Sequence, residues 1–294
     1  MKSHPYYIVD VFAESKFSGN QLAVVLNAND LSTQQMQTIA REMNFSETSF
    51  ILYDTPGENG WDVRIYTPTA EVPFAGHPTL GTSFIITKKI LQKDIPQLIL
   101  NLKVGQIPVF FSTINNRQMI WMKQVQPTFG KEYSANQLAH VLSIDIEQID
   151  DKYPILEVST GLPFILVPLK SLDAVKGCVV NHQAHLSLVA NSDVKDIMVF
   201  CPEAYSRNNQ VNARVFVDFL GIPEDPATGS ANGCLAAYLV KFKYFHQSSI
   251  DIRVEQGYEI HRPSILHLQA SLAERKYDIN VGGEVVMVAE GNLL

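Results

Sequence analysis

Two apolar helices stand out in the pattern of hydrophobic and polar positions along the chain. Residues 80–90 carry no charge over their first two turns, and residues 231–240 carry none at all. A helix without a charged face is usually buried inside a domain. Short runs rich in β-branched and aromatic residues follow each helix, as is typical of strands. The pattern therefore predicts a sheet curled around a central helix in each half of the chain.

Two further helices are amphipathic and begin with capping signals. Ser32 precedes the first, which ends near Asn44, and Gln35 three residues later completes the pattern of a capping box. Ser134 is the expected N-cap of the second, over residues 134–142, and residues 184–190 are predicted as a short helix. The predicted strands are 6–12, 22–26, 48–53, 63–67, 97–102, 107–113, 118–123, 155–159, 164–169, 196–201, 213–219, 250–255, 265–270, 278–281 and 284–289.

Each half of the chain thus runs strands, amphipathic helix, strands, buried helix and strands, which indicates a repeat of whole domains. A chain of 294 residues also suits two domains of roughly 150 residues each. We predict an N-terminal domain over residues 1–127, completed by the C-terminal strand at about 280–294, and a C-terminal domain over residues 128–279. The boundary is expected at 126–132, and Gly282-Gly283 is predicted to be a two-residue hairpin turn.

Composition and charge exclude several classes of protein. Hydrophobic residues make up 46% and charged residues 18%, and the formal net charge is −7, which gives no basic footprint for nucleic acid. The N-terminus lacks the apolar core of a signal peptide, and no run approaches the ~18 apolar residues of a membrane span. The three cysteines, Cys178, Cys201 and Cys234, indicate free buried thiols in a reducing compartment. We expect a cytoplasmic protein that binds neither nucleic acid nor a membrane.

Candidate chemistry gathers at the starts of the two apolar helices. Gly76-His77-Pro78 precedes one, and Thr228-Gly229-Ser230 precedes the other. The first N–H groups of a helix and its dipole together favour a bound anion such as a carboxylate or phosphate. Residues 221–227 are predicted as a loop of Pro, Gly and acids before the second start. We expect the two helix starts to face each other across one pocket.

Three side chains are candidates for acid or base catalysis. Glu47 lies among apolar and hydroxyl residues where a helix gives way to a strand, so partial burial would suit it to proton transfer. Asp225 lies just before the second helix start, and His77 lies near the first, where the dipole favours a neutral imidazole. Structural alternatives remain for each: a solvated Glu, a turn or capping Asp, and a packed or capping His.

Other site types are not supported by the spacing of residues. Neither helix start has the Gly-Lys-Ser/Thr of a P-loop, and no three-glycine dinucleotide fingerprint occurs. His182 and His185 lack a third ligand nearby, so a zinc site is not expected there. Ser230 lacks the Gly-x-Ser-x-Gly context of a hydrolase nucleophile.

Six motifs are spread along the chain: VDVF at 9–12, FSGNQLAVV at 17–25, NFSETSF at 44–50, RIYTP at 64–68, GHPTLG at 76–81 and DPATGSA at 225–231. Taken together, they resemble those of the PhzF-like (phenazine biosynthesis) isomerases, which are relatives of diaminopimelate epimerase. The resemblance extends from residue 9 to the C-terminal strands, in the order that the family has. It implies an α+β fold of two similar domains, each a mixed sheet curled into a barrel around a central buried helix, with the site in the cleft between them.

The resemblance also implies roles for individual residues. Glu47 would move the proton, and His77 and Asp225 would assist. The backbone at Gly76 and at Gly229-Ser230 would hold a substrate carboxylate, and Asn20 would line the pocket. The implied activity is a cofactor-independent isomerisation of a small carboxylate, without a metal, in a possible homodimer.

Two other functions remain open at this point. One is an amino-acid racemase or epimerase on the same fold, although the two thiols that related epimerases place at the helix starts are missing here. The other is a non-catalytic protein that binds small carboxylates.

Overall fold

A computed structural model describes residues 3–217 and 222–294. In chain order the strands are β1 (His4–Val11), β2 (Asn20–Val25), β3 (Glu47–Ile51), β4 (Trp61–Tyr66), β5 (Glu71–Val72), β6 (Gln97–Leu102), β7 (Gly105–Ile114), β8 (Arg117–Lys123), β9 (Thr128–Tyr133), β10 (Ile155–Ser159), β11 (Pro163–Pro168), β12 (Asp196–Cys201), β13 (Val211–Val217), β14 (Ile222–Asp225), β15 (Ser249–Gln256), β16 (Ser264–Ala273), β17 (Lys276–Gly283) and β18 (Val285–Leu293). The helices are α1 (Thr33–Met43), α2 (Gly76–Ile85), α3 (Ala135–Leu142), α4 (Leu172–Gly177), α5 (His182–Val189) and α6 (Gly229–Lys241).

Local capping signals position the amphipathic helices as predicted. Ser32 and Gln35 form a complete capping box at the start of α1, and Ser134 forms one with Gln137 at the start of α3. In each box a serine hydroxyl accepts from the third helical N–H, and the glutamine side chain accepts from the serine N–H. These signals lie within a few residues of each other, so the sequence alone was sufficient to find them.

The chain forms two compact units. The first contains the residues up to Lys123 and the C-terminal segment Gly282–Leu294, and the second contains Gln124–Val281. In the first unit β18 pairs with β1, β1 with β2, β2 with β3, β3 with β4, β4 with β6, β6 with β7, and β7 with β8. The pairs β2–β3 and β4–β6 are parallel and the others antiparallel, so the sheet is mixed.

The second unit repeats this order of pairings. Strand β9 pairs with β10, β10 with β11, β11 with β12, β12 with β13, β13 with β15, and β15 with β16. The pairs β11–β12 and β13–β15 are the parallel ones. In both units a short strand, β5 or β14, pairs with one end of the strand that begins the second parallel pair. The two units are therefore similar domains, and the predicted α+β fold is confirmed.

A buried helix lies in each unit. Eight of the ten residues of α2 are buried, from His77 to Ile85, and in α6 all are buried except Lys241. Gly81 of α2 is in close contact with the strands, because a Cβ there would come within 2.6 Å of Leu22 and 2.9 Å of Val11. Among the described helices none is both long and apolar enough to cross a membrane.

Several local predictions need correction. Gly282-Gly283 is not a hairpin turn but the end of β17, where a Cβ would collide with the rings of Trp121 and Phe12 respectively. Most of the predicted boundary at 126–132 forms β9, and residues 222–225 of the predicted loop form β14. Positions 218–219 of the strand predicted at 213–219, and residue 221 of that loop, lie outside the described residues. The first apolar helix begins at Gly76 rather than at residue 80, and α4 was not predicted.

Candidate functional site

In the first unit, the candidate residues meet where β2, β3 and α2 begin. Asn20 is the first residue of β2 and is 1% exposed, and Glu47 is the first residue of β3. Glu47 is in register with Leu22, the residue that Gly81 of α2 packs against. Residues in register on neighbouring strands lie on the same face of a sheet. The side chain of Glu47 is therefore on the face that α2 covers.

Helix α2 brings His77 to Glu47. Nε2 of His77 lies 3.4 Å from Oε2 of Glu47, and the two side chains are 6% and 19% exposed. The N-cap of α2 is Ala75, whose side chain has no polar atom to satisfy the first helical N–H groups. Gly76 and His77 thus provide backbone donors at the start of a helix, which is a favourable place for an anion.

The imidazole of His77 is neutral. Its burial lowers the pKa of His77 to about 3, against the effect of a hydrogen bond with the backbone of Gln21. A neutral imidazole has one N–H donor and one lone pair. Nε2 makes no hydrogen bond to any residue that the structure describes, so the bond to Gln21 comes from Nδ1. Nε2 then carries the lone pair, beside the carboxyl group of Glu47.

In the second unit, the start of α6 has an unusual N-cap. Thr228 occupies that position, but its hydroxyl makes no cap bond to the described part of the helix. It donates instead to Oδ2 of Asp225 over 2.5 Å. Gly229 and Ser230, both buried, therefore begin α6 with N–H groups that the N-cap side chain does not satisfy. This arrangement suits an anion in the same way as the start of α2.

Gln256, the last residue of β15, holds this turn together. Its Nε2 donates to the carbonyl of Asp225 over 2.8 Å and to Oγ1 of Thr228 over 3.0 Å. Its Oε1 accepts from the N–H of Thr228 and from Nδ2 of Asn232, over 3.2 and 2.9 Å. The side chain of Gln256 is fully buried. A buried amide with this many bonds fixes the backbone and side chains that it contacts.

A buried ion pair anchors β14, which carries Asp225. Arg214 of β13 donates to both carboxylate oxygens of Glu224 over 3.1 and 2.7 Å. The same guanidinium donates to the carbonyls of Val175, Lys176 and Cys178 at the end of α4. Glu224 precedes Asp225, so their side chains point to opposite faces of the strand. The ion pair of Glu224 thus fixes one face of β14, and the side chain of Asp225 points to the other face.

A further carboxyl group, Asp196, lies within electrostatic reach of Asp225. Burial, and to a lesser extent the charge of Asp225, raise the pKa of Asp196 to about 6. Sequence reasoning had assigned Asp196 only to a strand. Gln256 and Asp196 are thus residues of the candidate site that were missed, because the pairing of distant strands that brings them there cannot be detected in local sequence patterns. Thr228 was predicted as part of the helix start, but its bond to Asp225 was not.

Groups of three or more His, Cys, Asp or Glu that could bind a metal do not occur among residues 3–217 and 222–294. Nε2 of His185 bonds the carbonyl of Lys195 over 2.7 Å. All three cysteines are free and buried. Burial raises the pKa of Cys234 to about 12, so its thiol stays protonated.

Asn20, Glu47, Gly76 and His77 therefore lie in one unit, with His77 beside Glu47. Asp225, Gly229 and Ser230 lie in the other unit. Each group gathers at the start of a buried helix that its own sheet surrounds.

Comparison with known proteins extends over the whole chain. A family model described as phenazine biosynthesis-like protein (PhzC-PhzF) matches residues 9–291. The chain is 34% identical to an uncharacterised isomerase of Pasteurella multocida, with 99% of this chain and 94% of that protein covered. It is 33% identical to trans-2,3-dihydro-3-hydroxyanthranilate isomerase of Pseudomonas aeruginosa, with 98% of each covered. The crystal structure of a PhzF-family phenazine biosynthesis protein of Bacillus anthracis matches with a TM-score of 0.90, 29% identity and 100% of each chain covered.

Proposed function

Because the chain belongs to the phenazine biosynthesis-like (PhzF) family of isomerases, we propose that it moves a proton within a small carboxylate substrate, with Glu47 as the acid and base. The observation that carries this proposal is the distance of 3.4 Å between Glu47 and the neutral His77. An isomerisation conserves the molecular formula, so a proton that leaves one carbon must return to another. A single carboxyl group can do both if it keeps the proton between the two steps.

His77 supports the return of the proton. The lone pair on its Nε2 cannot bond a carboxylate oxygen, but it accepts a hydrogen bond once Glu47 is protonated. The protonated carboxyl is thereby held in place between the two transfers. A histidinium at this position would instead favour ionised Glu47, but the low pKa of His77 prevents one from forming at neutral pH.

The substrate carboxylate is proposed to bind to helix N–H groups. Gly76 begins α2, and Gly229 and Ser230 begin α6, each without a hydrogen bond from the N-cap side chain to the described helix. Backbone donors and the dipole stabilise negative charge that develops during proton removal. Asn20 is proposed to add a polar contact, and Asp225 to assist. No step requires a metal or an organic cofactor.

The substrate class follows from the relative of known activity. Its substrate, trans-2,3-dihydro-3-hydroxyanthranilate, is a dihydro ring with a carboxylate, an amine and a hydroxyl. We propose that this chain acts on that compound or on a similar cyclic carboxylate. A two-thiol racemase is less well supported, since Cys234 is the sixth residue of α6 and its pKa is raised to about 12.

A turnover assay tests the proposal. Wild-type protein incubated with trans-2,3-dihydro-3-hydroxyanthranilate should give an isomer, and Glu47→Gln should lose ~10²-fold or more in kcat. The control is Glu42→Gln, because Glu42 is exposed on the neighbouring helix α1. Full activity of a folded Glu47→Gln protein would refute the role of Glu47. Binding of the substrate without turnover by the wild type would instead favour the non-catalytic alternative.

A further inference from the structure

Asp196 occupies in the second unit the position that Glu47 occupies in the first. Glu47 is the first residue of β3, which is parallel to β2 and antiparallel to β4. Asp196 is the first residue of β12, which is parallel to β11 and antiparallel to β13. Since the order of pairings is the same in both units, the two carboxyl groups are topological counterparts. Glu47 lies beside the start of its buried helix, so the position of Asp196 relative to α6 becomes important.

The side chain of Asp196 faces α6 near its start. Phe200, four residues further along β12 and on the same face, packs on Tyr238 of α6 with ring centroids 5.5 Å apart. At the beginning of the parallel strand β11, the carbonyl of Leu162 bonds Sγ of Cys234, one turn earlier in α6. Strands β11 and β12 therefore run in the same direction as α6, so Asp196 lies on the N-terminal side of Tyr238 along the helix, in the position that corresponds to Glu47 beside the start of α2.

Asp196 is poorly supplied with partners. Its Oδ1 is buried and has no hydrogen bond within residues 3–217 and 222–294. Phe164 of β11, which is in register with Asp196, is apolar, and α6 begins with the uncharged Gly229 and Ser230. The charged group of the described chain that acts on it is Asp225, on β14. Such surroundings favour the protonated form of a carboxyl group more than water does, so they raise its pKa.

Asp225 is the ionised member of this pair, because the direction of the surrounding hydrogen bonds is fixed. Nε2 of Gln256 has only hydrogens to give, so Oγ1 of Thr228 accepts from it. The hydroxyl hydrogen of Thr228 is then directed to Oδ2 of Asp225, which must accept it. A carboxylate that accepts such a bond is stabilised in its charged form.

We propose that Asp196 is a positioning residue, which forms a carboxyl pair with Asp225 beside the start of α6 and, while it holds its proton in mildly acidic solution, limits that pair to a single negative charge. The inference rests on the proposed function, in which the start of α6 binds a substrate carboxylate. A second negative charge there would repel that carboxylate. The raised pKa of Asp196 agrees with this role, because the pair then carries one negative charge below about pH 6 and two above it.

Protonation of the pair can be measured without any substrate. In protein with ¹³C-labelled aspartate carboxyls, one Asp should titrate near pH 6, and Asp196→Asn should remove that signal. Asp225→Asn should move the titration of Asp196 to lower pH, because the repelling charge is gone. An Asp196 that titrates in the ordinary Asp range, or one that Asp225→Asn leaves unchanged, would overturn the pair.

Binding of 3-hydroxyanthranilate, an aromatic analogue of the relative's substrate, tests the consequence. Between about pH 5 and about pH 8, its Kd for wild-type protein should rise ~10-fold more than for Asp196→Asn, which keeps the uncharged form. Asp173→Asn is the control, because the Asp173 side chain is 93% exposed and should follow the wild type. Equal pH dependence in wild type and Asp196→Asn would overturn the role in binding.

The proposed function and the inference about Asp196 can be refuted separately. If wild-type protein shows no turnover or Glu47→Gln keeps its activity, the proposed function fails, while the titration still decides whether the carboxyl pair exists. If Asp196→Asn does not fold, the effect of Asp225→Asn on the titration of Asp196 still decides for or against the pair. If turnover depends on Glu47 but the titration is absent, only the inference about Asp196 fails.

Discussion

Thr228 donates its hydroxyl hydrogen to Asp225 instead of to the helix that it precedes. A threonine at an N-cap normally accepts a hydrogen bond from the first turn, which stabilises the helix by ~1 kcal/mol. Here Oγ1 accepts a hydrogen bond from Nε2 of Gln256 and donates its own hydrogen to the carboxylate of Asp225. The turn before α6 therefore orients Asp225 and leaves the helix start to another partner.

Replacement of Thr228 separates its two possible roles. Thr228→Val keeps the shape but removes the hydroxyl, so we expect kcat/KM for the isomerisation to fall by ~10-fold as Asp225 loses a charge-assisted bond. Thr228→Ser keeps the bond and should retain most activity. If Thr228 instead acted as a helix cap, Thr228→Val would lower the stability measured by urea unfolding and would change turnover little.

Protonation of His77 should limit stability in acid. In the unfolded chain His77 binds a proton below pH 6.5, while in the folded protein it stays neutral down to about pH 3. The unfolded state therefore holds more protons in this window, and the free energy of unfolding falls as the pH drops through it. Over the first two units of pH below 6.5 the loss from this group is about 2 kcal/mol.

Equilibrium unfolding in urea at several pH values measures this effect. His77→Gln lacks the titration, so its stability should change less than that of the wild type between neutral pH and pH 4.5. Other titrating groups contribute equally to both proteins, and their effects cancel in the comparison. Parallel curves for the two proteins would show that His77 can be protonated in the folded state.

Loss of Arg214 should be among the more damaging changes in the second unit. Arg214→Met leaves Glu224 buried without its partner and frees three carbonyls of α4, which should cost about 3–5 kcal/mol. Arg207→Met is the control, because Arg207 is exposed and a change there should stay within about 0.5 kcal/mol. The double variant Arg214→Met with Glu224→Gln should lose less than the sum of both single changes. Strict additivity in denaturant unfolding would contradict the coupling.

A single methyl group at Gly81 should also destabilise the fold. The Cβ of Gly81→Ala would lie 2.6 Å from Cδ2 of Leu22 and 2.9 Å from Cγ2 of Val11, and both neighbours are fully buried. Overpacking of this kind costs about 1–3 kcal/mol, which exceeds the gain of up to about 1 kcal/mol in helix propensity. Gly177→Ala, at the end of α4, meets nothing within 4 Å and should be neutral or stabilising. Thermal unfolding of both variants compares the two effects.

Features that depend on neighbours in sequence could be predicted well. The capping boxes at Ser32 and Ser134 need only residues three apart, and the buried nature of α2 and α6 follows from their lack of charge. That Glu47 and His77 belong to one site was implied by a family resemblance, since nothing local connects residues thirty positions apart. Its geometry could only come from the packing of α2 on β3.

Features that depend on strand register could not be predicted. Gln256 of β15 is in register with Ala213 of β13. This parallel pairing fixes the end of β15 where the side chain of Gln256 bonds Thr228. In the sequence, Asp196 directly precedes an apolar run, and this pattern predicts only the start of a strand. Gly282-Gly283 has the composition of a turn, yet its glycines make room for aromatic rings that come from distant parts of the chain.

The position of β18 has a consequence for the way this chain is made. It pairs with β1 along its whole length, from His4 with Leu293 to Val11 with Val285. The second unit, Gln124–Val281, lies between these two strands in the sequence and is continuous. During synthesis on the ribosome, one edge of β1 therefore has no partner strand until β18 has been made. Until then this edge can pair with other chains. Although it is synthesised later, the second unit can be the first to complete its sheet.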